Sequence, residues 1–525
     1  MEEENLNEVR PVLHIFVIGF HHQLGAQVEF VYPEFQESNL PKGLPVPWHP
    51  LLHISLPDGA HNFENDFTFF QLPQISNQNN VETSSVFGIA CFQQISSSEL
   101  LVKSADVTRT SVQKSVVILL RMPLFGFIHA KLSLITQAYF NEKDFSRTGI
   151  LKDAYTALNQ SLSFSNINDS MYLVGLNVGD LVLKLKQKAL VLVKLLLLEK
   201  KVLFWGSPVG NVCSSIMSLL SLIPGCIRNL QKCGLSQSGK SKKDEYGLPL
   251  DMFGKDYLFQ PYLAMQQMGS ISSATGYVIG TSNVLFKHQS HVSWDVLVDL
   301  ESNDMVINDG KLSQALSLTT EDLRFSDFLT STVADYEKDS GISWDGSDEW
   351  IRLQFKYYFL CLLASTAPEK GNSNFIDNQF NNAFIHNWRS TDTYKKWCKT
   401  KHHTIENIHQ GHPFEGGLSL SDLKLRIQSR IDALSISEES KEKIGAVVKK
   451  TGQVVGGALS SARNAFTSWR GWFAGLVEEI NEEMQGSKVN VEFVNSNETE
   501  LDGDSAELNQ GMFIHERKGA NKPLI

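Results

Sequence analysis

The sequence predicts an α/β protein, in which strands and helices pack in layers around shared cores. Short apolar runs that end at turn residues alternate along the chain with longer stretches of helical apolar period. The chain has 525 residues, of which 42% are hydrophobic and 20% are charged, and this is enough for two or three domains. We therefore expect a layered α/β body built from consecutive regions.

Residues 1–145 are expected to form a first, small α/β domain. The apolar run at 12–20, a turn around Gly25 and the alternating run at 28–33 predict an antiparallel hairpin. Three more strands and a helix that covers the sheet are predicted at 67–72, 85–95, 108–123 and 125–140.

Residues 146–318 are expected to form a second α/β domain, because helical and strand-like segments alternate there. The predicted order is helix, strand, helix, strand and strand, at 177–198, 202–205, 210–222, 276–286 and 294–300.

The most apolar stretch of the chain, 181–206, is a candidate membrane span, but its charges argue against that interpretation. A span needs about 20 apolar residues in succession, and each lysine near its centre costs about 2.5–3.5 kcal/mol on insertion. The stretch is interrupted by Lys184, Lys186, Lys188 and Lys194. It predicts a core helix followed by a buried strand, and no transmembrane span is expected.

Residues 319–415 are expected to be mostly helical. An amphipathic helix is predicted from about Asp348, with Ser347 or Asp348 as its N-cap and Glu349 in its first turn. A further helix is predicted at 384–397.

A sustained apolar period at 441–484 predicts an amphipathic helix. The segment contains small residues, flanking cations and a cluster of bulky aromatic residues. This composition suits a lipid interface. The membrane-interaction candidates are Phe466, Trp469, Trp472 and Phe473. The alternative is a helix that docks back on the core. The acidic segment 486–525 has few aromatic residues and is predicted to be disordered.

A phosphate-loop pattern, G-x-x-x-x-G-K-S, occurs at Gly234, Gly239, Lys240 and Ser241. A working loop lies between a hydrophobic strand and a helix, because its amides and the helix N-terminus must converge on the phosphates. Here no strand-like run precedes the pattern, and Gly247 and Pro249 follow it. We expect a connector and no bound nucleotide.

The other motifs predict no catalytic residues, no cofactor and no metal site. The six cysteines form no C-x-x-C pair, and neither H-E-x-x-H nor G-x-S-x-G occurs. The carboxylates of WDGSDEW are more easily explained as helix-capping residues than as an acid/base pair. The clustered histidines are expected to be solvated loop residues: His21, His22, His402, His403, His409 and His412.

The charge of the chain bears on partners and location. A net charge of −11 and the lack of a basic patch exclude a general nucleic-acid binder. The first residues, MEEENLNEVRP, are acidic and polar and do not form a secretory signal. We expect a cytoplasmic protein.

Nine motifs, in the same order as in the family, resemble the Avl-nine family of DENN-domain proteins, which are late secretory pathway proteins. They are VLHIFVIGFHHQLGAQVEFVYP, LPDGAHN, VFGIACFQQI, VQKSVVIL, KLSLITQAYF, LLLLEKKVLF, YVIGTSNVLF, DLRFSDFL and GSDEWIRLQF. With the segment GQVVGGALSSARNAFTSW, the resemblance covers about residues 12–472.

The resemblance implies a tripartite DENN module. Its parts would be a longin-like α/β domain at 1–145, a central α/β domain at 146–318 and a helical part at 319–415. DENN proteins typically act as guanine-nucleotide exchange factors for Rab GTPases, which implies a Rab-type small GTPase as partner and no active-site chemistry. Family members are linked to Golgi-to-surface transport, recycling endosomes and cell migration, so the protein is expected to associate peripherally with such membranes. The alternative is a non-catalytic adaptor or scaffold. On physical grounds, we expect a GTPase to contact the first hairpin and the loops of the central domain.

Overall fold

The fold is taken from a computed structural model, which describes most of residues 10–417 and two short segments near the C-terminus. The two segments are 489–493 and 512–516, and the stretches within 10–417 that are not described are 36–39, 41–42, 76–84, 104–108, 163–166, 231–242, 255, 289–291, 339–343 and 369–373. The chain divides into two compact units, Met1–Ser429 and Arg430–Ile525.

The first sheet is antiparallel and confirms the strands predicted for residues 1–145. Its strands are β1 (Val12–His21), β2 (Gly25–Tyr32), β3 (Asn65–Pro73), β4 (Ser85–Ser96) and β5 (Ser111–Leu120), in the order β2-β1-β5-β4-β3. The β1–β2 turn closes at Gly25, whose φ of 77° lies in the left-handed region that glycine adopts without strain. The short helix α1 (Leu51–Ile54) precedes β3, and the longer helices α2 (Phe125–Asn141) and α3 (Gly149–Ser161) follow β5.

The second sheet has four parallel strands and one antiparallel edge strand. Its strands are β6 (Lys201–Trp205), β7 (Tyr257–Gln260), β8 (Gly276–Thr281), β9 (Val296–Asp299) and β10 (Asp304–Ile307), in the order β10-β9-β6-β8-β7. Near-continuous burial of β6 and β8 is typical of parallel strands that are covered on both faces. The accompanying helices are α4 (Val178–Leu185), α5 (Gln187–Leu197), α6 (Val209–Ser221), α7 (Cys226–Asn229) and α8 (Leu285–His288).

Two predictions for this part of the chain were wrong in detail. The single helix predicted at 177–198 is two helices, because Lys186 has a φ of 49° and ends α4 before α5 begins. No glycine or proline marks this break in the sequence. The strand predicted at 276–286 ends at Thr281, and α8 begins at Leu285. Within the residues that the structure describes, no helix is long and apolar enough to cross a bilayer.

The described parts of residues 319–415 are mostly helical, as predicted, and one further helix begins before them at Gly310. The helices are α9 (Gly310–Leu316), α10 (Thr320–Lys338), α11 (Asp348–Thr366), α12 (Asn374–Gln379), α13 (Asn382–Ser390) and α14 (Asp392–Cys398). The one helix predicted at 384–397 is α13 followed by α14. Thr391 separates them, because its extended backbone ends α13 while its hydroxyl caps α14 by accepting from the Tyr394 N–H.

Ser347 is the N-cap of α11, as predicted, and accepts from the Trp350 N–H at 3.3 Å. Asp348 caps a different helix: its Oδ1 accepts from the N–H groups of Val178 (3.0 Å) and Gly179 (2.9 Å), at the start of α4. The capping role predicted for these two residues is therefore divided between two helices.

Replacing Asp348 with Ala should destabilise the protein by about 1–2 kcal/mol, since two N–H groups of α4 lose their acceptor. Urea denaturation at neutral pH measures the change. Glu337→Ala, on the exposed side of α10, is the control and should leave the midpoint nearly unchanged. Equal midpoints for Asp348→Ala and Glu337→Ala would contradict this role.

A fully buried polar cluster joins α5, α10 and α11 to residues near 412. Lys194 forms an ion pair with Asp322, and Asp322 Oδ1 also accepts from the Tyr358 hydroxyl at 3.0 Å. His412 Nδ1 accepts from the Phe414 N–H, which places the proton of a neutral ring on Nε2, 3.4 Å from Asp322 Oδ1. We call Lys194, Asp322, Tyr358 and His412 the buried charge cluster. The prediction that His412 is solvated was wrong.

The charge state of Asp322 follows from its neighbours. Burial by itself would raise the pKa of this carboxyl, but Lys194 and His412 outweigh burial and hold the pKa below its usual range. The Asp322 carboxylate is therefore ionised at neutral pH. Burying this charge costs much free energy unless its counter-ion, Lys194, is in place.

The second unit contains a separate two-stranded antiparallel ladder, in which β11 (Val489–Phe493) pairs with β12 (Met512–Glu516). Both strands lie within the segment 486–525, for which the sequence predicts disorder. The rest of that segment lies outside the described residues, so the assignment of 486–525 as a tail stays a prediction.

Candidate functional site

The first sheet ends at the β1–β2 turn in an exposed apolar patch. Phe20 is 41% exposed and Leu24 is 66% exposed, and the nearby β4–β5 connection adds Leu101 (73%) and Val102 (55%). We call these four residues the hairpin patch. Large apolar side chains that are exposed together commonly mark contact surfaces for other proteins.

The turn itself is held by histidine. His21 Nδ1 accepts from the N–H groups of Gln23 and Leu24, each at 3.2 Å, and the His21 and His22 rings stack at 4.9 Å. These contacts give the two histidines at the hairpin tip a structural role in the turn. They fix the backbone that presents Leu24.

A pocket of about 360 Å³ opens beside the hairpin patch, between the β1–β2 turn, the start of β5 and the loop after α2. Its floor carries an ion pair of Lys114 with Glu29, and the Lys114 ammonium lies 4.8 Å from the centre of the Phe145 ring. At the rim, the Arg109 guanidinium lies 5.1 Å from the centre of the Phe20 ring. The lining of the pocket therefore mixes apolar side chains with polar and charged ones.

The second sheet ends in another exposed apolar patch, at the carboxyl ends of its parallel strands. Met265 follows β7, and Val284 and Leu285 follow β8; their side chains are 38–49% exposed. We call these three residues the carboxyl-end patch. The carboxyl ends of parallel strands are where open α/β sheets usually bind their ligands.

An ordered group of polar contacts supports this end of the second sheet. Lys287 donates to Asp299 Oδ2 at 2.7 Å and lies over the Trp205 ring, whose Nε1 donates to the Ser282 carbonyl at 3.2 Å. Burial acts to raise the pKa of Asp299, but the hydrogen bond from Lys287 and the backbone N–H groups of Ser302 and Glu301 together lower it. The loops that carry the carboxyl-end patch are thus held on rigid strands.

The strand register shows which end of the first sheet faces the second sheet. Gly19 of β1 is opposite Lys114 of β5, Lys114 is opposite Gln93 of β4, and Gln93 is opposite Asn65 of β3. One row therefore runs across the sheet from the residue before Phe20 to the start of β3. The residue after Asn65 is Asp66, which contacts the start of α6, the helix that follows β6.

Asp66 and Asp58 connect the two sheets at this end. Asp66 caps α6, directly after β6, by accepting from the N–H groups of Val209 (3.0 Å) and Gly210 (2.8 Å). A Cβ on Gly210 would come within 2.9 Å of Asp66 Oδ1, so glycine permits the close approach. Asp58 accepts from the Asn283 amide at 3.0 Å, next to Val284. The end of the first sheet that carries the hairpin patch is therefore the end that contacts the carboxyl ends of the second sheet, and we call the two patches together the strand-end surface.

A smaller polar pocket of about 220 Å³ beside Asp66 offers no activated nucleophile. It is lined in part by Cys91 and His129. Burial raises the pKa of the Cys91 thiol to about 12 and lowers the pKa of His129. Among the residues that the structure describes, no group of three or more His, Cys, Asp or Glu side chains could hold a metal ion.

Several predicted site residues lie outside the described parts of the chain. These are the phosphate-loop residues Gly234, Gly239, Lys240 and Ser241, and the membrane-interaction candidates Phe466, Trp469, Trp472 and Phe473. The predictions for them stay predictions. The two apolar patches were not named from the sequence, although the first hairpin and the central loops were expected to contact a partner.

Comparisons with known proteins show that the chain is similar to one protein family and to curated members of it. The family model described as "Transport protein Avl9" matches residues 12–366. "Late secretory pathway protein AVL9" of Saccharomyces cerevisiae is 30% identical over an alignment of 506 residues; the alignment covers 84% of this chain and 65% of the relative. "Late secretory pathway protein avl9" of Schizosaccharomyces pombe is 30% identical over an alignment of 424 residues; this alignment covers 74% of this chain and 86% of the relative. The match thus spans slightly less than two thirds of the S. cerevisiae protein, and the chain belongs to the Avl9 family.

Proposed function

We propose that this protein regulates vesicle traffic late in the secretory pathway, by binding a Rab-type small GTPase and promoting guanine-nucleotide exchange. The pathway is suggested by the names of its relatives, which are late secretory pathway proteins. The single observation that carries the binding proposal is the strand-end surface, where two sheets present exposed apolar patches at the ends that contact each other. A surface of this kind suits a protein partner.

Exchange requires no acid, base or nucleophile in the regulator. A regulator that binds the nucleotide-free GTPase more tightly than the nucleotide-bound form shifts the population toward release. That differential affinity requires a wide, rigid contact surface. The strand-end surface is supported by strands, by the Asp66 cap and by the Lys287–Asp299 pair, so it can hold one shape of the partner in preference to another.

The tripartite DENN module is part of the proposal. Residues 1–145 would be the longin-like part, 146–318 the central part and 319–415 the helical part. One sheet lies in each of the first two segments and helices fill the third, which is compatible with that division. The strand-end surface would then be shared by the first two parts.

We further propose that the protein acts from the cytoplasm on Golgi or recycling-endosome membranes, to which it attaches peripherally. The amphipathic segment 441–484 would supply the attachment, with Phe466, Trp469, Trp472 and Phe473 at the lipid interface. A role in cell migration would follow from the traffic it controls.

Substituting Trp469→Glu and Trp472→Glu together should reduce flotation of the full chain with anionic liposomes by about tenfold. Each charged residue opposes burial of the apolar face in lipid. Flotation on a density gradient measures the bound fraction. The matched control is Trp344→Glu, because Trp344 is an exposed tryptophan outside this segment, and this variant should float as the wild type does. Equal flotation of the wild type and the double variant would assign this segment to the core instead.

The second candidate function is a non-catalytic adaptor that uses the same surface only to bind. Release of a fluorescent GDP analogue across a panel of Rab GTPases separates the two functions. The exchange proposal expects the full chain to accelerate release from at least one Rab. Binding to a Rab without any acceleration would support the adaptor, and a nucleotide-binding signal lost in Lys240→Ala would instead favour a nucleotide site in this chain.

A further inference from the structure

The pocket beside the hairpin patch has one cation, Arg109, that is not paired with a carboxylate of the described lining. Among the described residues that line it, Lys114 is paired with Glu29, and Asp144 lies 3.4 Å from Arg147 Nε. The exposed Arg109 contacts the Phe20 ring and forms no ion pair with the carboxylates of the described lining. The pocket therefore offers a guanidinium to an incoming anion.

Part of the pocket lining offers apolar contact, beside polar side chains such as Gln27 and Gln113. Phe20, Leu100 and Val102 line it near Arg109, and Phe145 lies at its floor. The volume of about 360 Å³ is ample for one large side chain. Arginine and aromatic side chains are enriched among the residues that contribute most to binding at protein interfaces.

The pocket is also held open by fixed parts of the fold. Lys114 is almost fully buried on β5, and its ion pair with Glu29 links β5 to β2 across β1. The loop that carries Phe145 is fixed by Asp144, which accepts from the Ser146 hydroxyl at 2.7 Å. A preformed pocket loses little conformational entropy on binding.

We propose that this pocket, on a protein that functions as proposed above, receives an aromatic or large apolar side chain of the GTPase, with a neighbouring GTPase carboxylate paired to Arg109. The apolar part of the lining, at Phe20, Val102 and Phe145, favours the first group, and the guanidinium favours the second. A basic or purely polar partner loop would leave Arg109 facing a like charge or leave the apolar part of the lining in contact with water.

The test uses the full chain and the GTPase found in the release panel, with dissociation constants measured by biolayer interferometry. Arg109→Glu and Val102→Asp should each weaken binding at least tenfold, while Arg109→Lys should lose much less. Leu134→Glu, on the exposed side of α2, is the control and should bind as the wild type does. Substituting GTPase surface carboxylates to Lys one at a time should identify one that restores binding to Arg109→Glu.

The outcomes separate this inference from the proposed function. If a GTPase binds and Arg109→Glu and Val102→Asp leave its affinity unchanged, the pocket assignment is overturned while the proposed function stands. If no carboxylate-to-Lys change restores binding, the pairing with a carboxylate is overturned. If the wild type binds no member of the panel, the proposed function fails and the assignment fails with it.

Discussion

Replacing Asp322 with Ala is expected to lower the free energy of unfolding by about 3–5 kcal/mol, one of the largest effects of any single substitution in this protein. The change leaves Lys194, which is fully buried, without its counter-ion, and removes the acceptor of the Tyr358 hydroxyl. Urea denaturation at neutral pH, followed by fluorescence or circular dichroism, measures the loss.

Two further variants make this prediction specific to the ion pair. Asp335→Ala removes a carboxylate that pairs with Lys338 on the exposed side of α10, and it should change the midpoint little. The double variant Lys194→Met/Asp322→Leu removes both charges and should recover most of the stability. If Asp322→Ala were no more destabilising than Asp335→Ala, the buried charge cluster would not have the role assigned to it.

Introducing a charge into either patch of the strand-end surface should reduce exchange activity strongly. Phe20→Glu in the hairpin patch and Leu285→Glu in the carboxyl-end patch each place a carboxylate in an apolar contact. We expect each to cost about 2 kcal/mol of binding, or about thirtyfold in kcat/KM for nucleotide release, and the double variant to be close to inactive. The assay is release of the fluorescent nucleotide from the responsive Rab.

The control for these variants is Leu134→Glu, because Leu134 is an exposed apolar side chain of α2 outside both patches. It should retain the wild-type rate. Circular dichroism should show that all variants are folded, since Phe20 and Leu285 are 41% and 39% exposed. A loss with only one of the two patch variants would limit the contact to one sheet, and wild-type rates in both would exclude this surface.

The local elements of the fold could be predicted from the sequence because apolar period and turn residues determine them. The run at 12–20 and the glycine at position 25 predict β1 and its turn, and Ser347 predicts the start of α11. The break at Lys186 could not be predicted, because a lysine in the left-handed region is stabilised only by its tertiary surroundings.

The long-range side-chain pairings that hold the regions together could not be predicted from the sequence, for a different reason. Lys194 is visible as a charge within an apolar run, which signals a buried partner or a boundary. Its partner Asp322 lies 128 residues away, in an unremarkable helical start. Likewise, nothing around His412 in the sequence distinguishes it from the exposed His409 nearby. Long-range partners of this kind follow from packing.

The strand-end surface could also be predicted only in part. The hairpin and the central loops could be named as regions of contact, whereas the patches depend on which side chains packing leaves exposed. Val17 and Ile18 of β1 are fully buried while Phe20, two residues later, is exposed. That difference comes from the end of the sheet, where the pairing of β1 with β5 stops at Gly19 and Lys114.

The most direct test of the central claim is the affinity of the full chain for one Rab in two states, nucleotide-free and GDP-bound, measured by the same titration. An exchange factor that acts by population shift binds the nucleotide-free state more tightly than the GDP-bound state, because only a difference in affinity can shift the equilibrium between them. We expect the nucleotide-free Rab to bind at least a hundredfold more tightly, with the preference reduced in Phe20→Glu. Equal affinity for the two states would contradict the claim that this protein promotes exchange.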